Sequence, residues 1–270
     1  TVLPGDGTET VGLAIGANPI TVTVSFEDES IDYTITINRA APPIELSALS
    51  LSDGTLSPAF DPAVTAYTAE VGYTTESVTV TVSAGSTDLE VTVNDTPVIP
   101  GDGSETIELT TGENAITATV SYGSNTETYT VALTRLFPEI NVRGPQTYGG
   151  VETDLPSGSV VDFGTLLVWE ESPLDITFTI ENNGSDTLQL TGTAPELVTV
   201  TPTNSDTGSD EFTIPTQPSQ ATIPPSSSRD FVVRFNSDYP LGDKTGTVSI
   251  GSNDEDETDY TLSLTGLADC

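Results

Sequence analysis

Part of this chain is written twice. At an offset of 96 positions, Val2-Leu3-Pro4-Gly5-Asp6-Gly7-Thr8-Glu9-Thr10 falls on Val98-Ile99-Pro100-Gly101-Asp102-Gly103-Ser104-Glu105-Thr106 without a gap. The match continues with Gly16 on Gly112, Asn18 on Asn114, Ile20-Thr21 on Ile116-Thr117, Val24-Ser25 on Val120-Ser121, Tyr33-Thr34 on Tyr129-Thr130 and Arg39 on Arg135. A repeat of this kind is one folding unit copied, so both copies must obey one fold. Residues 1–39 read as the second half of a module whose complete copy is 44–135. The first half of the earlier copy has no counterpart, and half a sandwich cannot bury its own sheet face. Two expectations follow: the chain is an internal piece of a longer, processed polypeptide, as the absence of an initiator Met also suggests, or the missing strands come from another molecule.

Within the modules the signal is alternation of period two. Thr21-Val22-Thr23-Val24-Ser25, Ser77-Val78-Thr79-Val80-Thr81-Val82, Ile176-Thr177-Phe178-Thr179-Ile180 and Tyr260-Thr261-Leu262-Ser263-Leu264 each put apolar groups on one side and Thr or Ser on the other. That is the pattern of an antiparallel sheet packed on one face and wet on the other. Turn residues punctuate the runs, in Ser52-Asp53-Gly54, Asn182-Asn183-Gly184 and Asn253-Asp254-Glu255-Asp256. No segment keeps a helical period. The expected fold is all-β, as tandem immunoglobulin-like antiparallel β-sandwiches, because two sheets face to face hide both apolar sides. Tight seams at Ala40-Ala41-Pro42-Pro43 and Leu136-Phe137-Pro138 divide it into 1–39, 44–135 and 136–270. Arg39, Arg135 and Arg143 stand near these seams, either as ion pairs that stiffen the joints or as solvated strand ends.

Composition removes whole classes of function. Six Lys and Arg against 41 Asp and Glu leave a formal charge of −35, with no His, no Met and one Cys. Phosphate recognition needs clustered cations, so nucleic acid and anionic membrane surfaces are excluded as partners. Imidazole and thiolate metal sites and His-dependent triads are excluded as well. Carboxylate and backbone oxygens remain, which suit hard cations, Ca²⁺ above all. No apolar run reaches the roughly 18 residues that would cross a bilayer, so no membrane insertion is expected within this segment. A single Cys at the end of the chain leaves the redox compartment undetermined.

The candidate metal ligands are Asp254, Asp256 and Asp259, in an acidic turn able to hold Ca²⁺; the spacing is not that of an EF-hand, and a solvated acidic turn is the competing reading. The repeated Gly-Asp-Gly loops offer Asp6 with Glu9 and Asp102 with Glu105, although Gly-Asp-Gly is also simply a good turn. Asp53 and Asp61 are expected to set turns. Chance carboxylate pairs do not make a glycosidase without an aromatic-lined cleft, and Trp169, beside Glu170 and Glu171, is the one Trp. Lys244, the only Lys, falls in the expected turn Leu241-Gly242-Asp243-Lys244, which speaks against an intramolecular isopeptide bond. Asn94 and Asn183 stand in glycosylation sequons, the latter first of all a hairpin turn.

Residues 49–135 carry a resemblance. The opening Leu51-Ser52-Asp53-Gly54-Thr55-Leu56-Ser57-Pro58, continued by Phe60-Asp61-Pro62 and Tyr67, with the ending Asn114, Tyr129-Thr130 and Arg135, resembles the cadherin-like β-sandwich repeat of bacterial surface proteins. Residues 138–270 are similar to the choice-of-anchor D type of immunoglobulin-like domain, through Pro138-Glu139-Ile140-Asn141-Val142, Val161-Asp162-Phe163-Gly164, Thr179-Ile180-Glu181-Asn182-Asn183-Gly184 and Phe231-Val232-Val233-Arg234-Phe235. The resemblance implies an extracellular or cell-surface location, display on a large secreted or wall-associated protein, and no catalytic residues. The expected function is therefore a non-enzymatic stalk or spacer with adhesive capacity, its partners neighbouring modules of the same polypeptide, neighbouring chains, or a cell-surface or glycan ligand. A filament subunit completed by strand exchange is the alternative. A carbohydrate-binding accessory region would need an aromatic stripe that the dispersed Tyr residues do not supply.

Overall fold

A computed structural model describes residues 8–99, 103–168, 173–203, 211–236 and 241–270. Among them all regular structure is β. Contacts divide the chain into two compact units, one of Thr1–Tyr67, Thr79–Thr106 and Ile116–Val131, the other of Thr68–Val78, Ile107–Ala115 and Ala132–Cys270.

The half-repeat forms a two-stranded hairpin, β1 (Gly16–Phe26) against β2 (Glu29–Arg39), in unbroken register from Gly16↔Arg39 to Phe26↔Glu29. The two-residue connection needs a left-handed residue, and Glu27 takes it at φ 56°.

The complete repeat contributes β3 (Leu46–Leu51), β4 (Ala66–Val71), β5 (Ser77–Ala84), β6 (Glu90–Val93), β7 (Thr96–Val98), β8 (Gly103–Glu108), β9 (Gly112–Tyr122) and β10 (Asn125–Arg135). They form two sheets, ordered β3-β5-β8 and β4-β10-β9-β6-β7. Alternation sets the faces: Val78, Val80 and Val82 of β5 and Ile116, Ala118 and Val120 of β9 are buried, while the Thr residues between them are not. Two tyrosines tie the opening loop to this core. The Tyr129 hydroxyl donates to Pro62 O (2.9 Å) and accepts from Leu46 N (3.2 Å), and the Tyr67 hydroxyl lies 2.8 Å from Asp61 O. Asp53 and Asp61 accept from the Gly54 and Ala63 amides and so set turns, as their sequence context predicts.

The last segment contributes β11 (Ile140–Pro145), β12 (Glu152–Asp154), β13 (Ser159–Leu167), β14 (Leu174–Asn182), β15 (Leu188–Gln189), β16 (Val198–Pro202), β17 (Phe212–Thr216), β18 (Thr222–Ile223), β19 (Ser228–Phe235), β20 (Gly242–Gly251) and β21 (Asp259–Asp269). A sheet ordered β12-β11-β14-β19-β17 and another ordered β13-β21-β20-β16 enclose a core rich in Phe, with Phe212 stacked on Phe235 at 5.0 Å and Phe178 on Phe231 at 5.3 Å. Gly266 makes room for this stack: a Cβ there would lie 2.8 Å from the Phe235 ring. Two pairs depart from the antiparallel expectation: β13 and β21 run parallel, and so do β4 and β10, where Thr130 N donates to Thr65 O and Leu136 N to Val71 O. The long connection within each pair permits it, as a hairpin turn would not.

Candidate functional site

The acidic turn predicted from sequence joins β20 to β21 and is held by side chains that fold back on its backbone. Ser252 Oγ accepts from Asp254 N (3.1 Å) and donates to Glu257 O (3.0 Å), while Asn253 Oδ1 accepts from Gln189 N (2.7 Å). This folding turns Asp254 inward, where it is buried and its carboxylate accepts from Ile140 N at 2.8 Å. The carboxylates of Glu139, Asp254 and Asp256 then lie with one oxygen each within 4.8 Å of one another. Of the three predicted ligands, Asp254 and Asp256 come together. Asp259 instead opens β21 opposite Gly251 and is not one of this group. Glu139 was not foreseen, because its partners are remote in sequence and no local pattern marks it.

The electrostatics of the group follow from crowding. Burial raises the affinity of Glu139 for its proton, and repulsion from Asp254, Asp256 and Glu257 adds to it. Asp254 is likewise raised, first by burial and then by Asp256, against the lowering effect of the Ile140 amide. Glu257 is raised by burial and by both aspartates. A divalent cation would relieve all of these repulsions, and three converging carboxylates are the hard oxygen donors that Ca²⁺ takes.

A second polar constellation stands where β10 ends. Arg135 is buried and donates from Nε and Nη2 to Tyr73 O (3.0 and 2.8 Å) and from Nη1 to Leu109 O (3.3 Å), with its guanidinium over the Tyr73 ring. It is thus neither of the two forms expected for it, ion pair or solvated end, but a buried cation held by carbonyls. Tyr73 N in turn donates to Asp186 Oδ2 at 2.8 Å. The chain leaving Arg135 is fixed at once. Leu136 N donates to Val71 O, Phe137 O accepts from Ser185 N and Asp186 N, and Phe137 N donates to Ser185 Oγ. Fully buried Asn182 completes the joint, donating to Asp186 O and Ile223 O and accepting from Gly184 N. Gly184 is required here: a Cβ would lie 2.3 Å from Phe137 O. Asn183-Gly184 is therefore part of a backbone-to-backbone contact as well as a turn.

Arg39, the repeat equivalent of Arg135, reproduces only part of this. Its Nη1 donates to Leu13 O, as Arg135 does to Leu109 O, while its Nη2 pairs with Asp88. Arg143 pairs with Asp154 and Glu181 on the sheet surface.

Lys244 corrects the sequence reading. It lies within β20 rather than in a turn, its side chain is buried, and Nζ pairs with buried Glu211 at 2.7 Å. The alternation of β20 points it inward, and burial of a cation demands a partner of opposite charge. The Asn94 sequon is a left-handed turn between β6 and β7, with Asn94 Oδ1 accepting from Thr117 N. Glu105 lies in β8; Asp6, Asp102, Trp169, Glu170 and Glu171 lie outside the described residues.

The largest unpartnered apolar surface among the described residues is on the hairpin. Val22, Val24, Ile31, Tyr33 and Ile35 are all more than half exposed. Their equivalents in the complete repeat are core: Tyr33 is 58% exposed where Tyr129 is 0%, and Val24 is 58% exposed where Val120 is 0%.

Comparison with known proteins agrees with the geometry of the central module. Residues 46–136 match the cadherin-like beta sandwich domain family. No curated protein matches the chain. Solved structures similar to it include a Porphyromonas gingivalis W83 protein of unknown function, 13% identical over 81% of this chain and 99% of that one, with a TM-score of 0.31. Zebrafish RET cadherin-like domains 1 to 4 are 11% identical over 94% of this chain and 59% of that one, TM-score 0.28. Domains 1–6 of the surface layer protein SbsC are 14% identical over 93% and 32%, TM-score 0.34. The chain spans less than two thirds of the latter two.

Proposed function

We propose that this chain is a non-enzymatic structural segment of a bacterial extracellular surface protein, in which tandem β-sandwiches act as a spacer. The observation that carries the reading is the joint after Arg135. Backbone hydrogen bonds begin at Leu136 and Phe137, with no free residue between the last strand of the central sandwich and the next module. A spacer transmits force, and force is resisted by hydrogen bonds that must break together. The buried polar groups support the same reading, since Arg135, Asn182 and Asp254 are each engaged in holding backbone. The family match over residues 46–136 supports a cadherin-like module, and the motifs of 138–270 support a choice-of-anchor D type immunoglobulin-like module after it. A Ca²⁺ ion held by Glu139, Asp254 and Asp256 would stiffen the start of that module by tying the entry of β11 to the β20–β21 turn.

The test is mechanical. With the chain pulled between its N-terminus and the exposed thiol of Cys270, the expected record shows two separate sandwich ruptures. A chain that extends smoothly at low force would sink the spacer reading. The alternative, a filament subunit completed by strand exchange, is favoured by one observation, the uncovered face of the hairpin.

A further inference from the structure

We infer that the exposed face of the β1–β2 hairpin is a docking surface for one kind of partner: a polypeptide segment with the strand pattern of residues 44–96, the N-terminal half of the same repeat. The inference starts from the structural identity of the two hairpins. β1 and β2 repeat β9 and β10 position for position, with Gly16 and Gly112 both left-handed (φ 95° and 84°). Asn18 donates to Ala14 O and Gly16 O just as Asn114 donates to Thr110 O and Gly112 O. The same element therefore meets two environments, and the complete copy shows what the other lacks.

Three absences in the hairpin correspond to three contributions of residues 44–96 in the complete repeat. The sheet β3-β5-β8 supplies the apolar cover, with Leu46, Leu49, Val80 and Val82 buried. Strands β4 and β6 flank β10 and β9, whereas among the described residues β1 and β2 have no further neighbour in their sheet. Tyr73 supplies the carbonyl that binds two donors of Arg135; Arg39 keeps only the bond to the carbonyl of its own copy, Leu13 O, and turns its other arm to Asp88. A fourth sign is conformational. Described residues 8–12, equivalent to β8, form no strand, whereas β8 pairs with β5 in the complete repeat. The hairpin of a second copy would cover the apolar face but has no counterpart of Tyr73, whose carbonyl binds two donors of Arg135.

The inference rests on the spacer reading only in taking the modules as tandem repeats, and the two fail separately. Rupture of the central and C-terminal sandwiches does not involve this face. The test compares the chain with one in which a copy of residues 44–96 precedes Thr1, by hydrogen exchange. In the extended chain the amides of residues 20–24 and 31–37 should slow by about 100-fold or more, the difference between an isolated ribbon and a packed sandwich strand. Adding Val24→Asp and Ile35→Asp to the extended chain should abolish the gain. Unchanged exchange in an extended chain whose central module stays protected overturns the proposal. So does light scattering that shows the unextended chain dimerising through this face, with the dimer lost on Tyr33→Asp, because the occupant is then a second copy. Should the extension fail to fold, co-expression of residues 44–96 as a separate polypeptide decides. Co-purification with the full chain, but not with a chain lacking residues 1–39, supports the proposal; equal capture by both, or by neither, overturns it.

Discussion

The two hairpins of the repeat, β1–β2 and β9–β10, share their turn geometry, their asparagine brace and their pairing, yet one lies bare and the other forms half of a core. The difference separates what local sequence determines from what the rest of the module supplies. Strand pairing and turn shape are carried by the segment itself, through Asn18 or Asn114 and a left-handed residue at the tip. Burial is conferred from outside. The stability that accompanies it should differ accordingly between equivalent positions, which makes the pair an internal control.

The largest expected contrast is at the tyrosines. Tyr129→Ala removes a fully buried ring with two backbone hydrogen bonds and should cost about 3–5 kcal/mol of central-module stability in urea denaturation. Tyr33→Ala, at the equivalent exposed position, should stay within about 0.5 kcal/mol. Equal effects would mean that the hairpin face is already covered. Next come the arginines. Arg135→Ala strands the carbonyls of Tyr73 and Leu109 and should cost about 2–3 kcal/mol, whereas Arg39→Ala should cost under about 1. The turn tips come third. Glu27 occupies a left-handed conformation that Gly123 fills at the same position of the complete repeat (φ 56° and 62°). Glu27→Gly should therefore stabilise the first hairpin by about 1 kcal/mol, and Gly123→Glu should destabilise the second by a similar amount, both read by melting.

The smallest effects concern the acidic turn, which acts on the C-terminal sandwich and should leave both hairpins unmoved. Glu139, Asp254 and Glu257 bind protons more tightly folded than unfolded, so their contribution is fully favourable at low pH and is lost as pH rises through their raised folded values. Asp175 has the opposite sign. Its hydrogen bonds to Arg234 lower it below its ordinary 3.8, so its contribution holds above that value and disappears as pH falls through the lowered folded one. The melting temperature of the C-terminal sandwich should thus rise by a few degrees from neutral pH toward 4.5 and fall only below 3.8. Millimolar Ca²⁺ at neutral pH should raise the melting temperature too, through a stabilisation of about 1 kcal/mol or a little more at tenfold excess over the dissociation constant. Asp256→Asn should remove the Ca²⁺ response, while Asp259→Asn should leave it.

Much of the fold was legible because alternation is a local signal. The runs at Thr21–Ser25, Ser77–Val82, Ile176–Ile180 and Tyr260–Leu264 all lie inside strands, and in the last three the apolar side is buried as expected, whereas in the first it is exposed. The offset of 96 aligns residues 16–39 with 112–135, and the two segments form hairpins with the same asparagine brace and left-handed residues. What escaped was whatever depended on a distant partner. Lys244 looked like a turn residue because Gly242 and Asp243 precede it, but a sheet neighbour continues the strand and Glu211 makes its burial tolerable. Glu139 gave no sign of joining Asp254 and Asp256, since that meeting depends on how β11 enters beside the β20–β21 turn. Arg135 was read at the right place with the wrong chemistry: its partners are carbonyls, which have no signature in a sequence.

The scarcity of basic residues, which above decided what the chain cannot bind, also decides how a trypsin-like protease meets it. Every basic side chain lies in a strand: Arg39 ends β2, Arg135 ends β10, Arg143 is in β11, Arg229 and Arg234 are in β19, and Lys244 is in β20. Cleavage needs an extended, unpaired segment on both sides of the bond, and paired strands refuse it. Of the two that stand at strand ends, Arg135 is buried and Arg39 is not. The Arg39–Ala40 bond, at the exposed end of a two-stranded ribbon, is thus more open to such an enzyme than the bond after Arg135, and cutting there would release the bare hairpin from the segments that follow it.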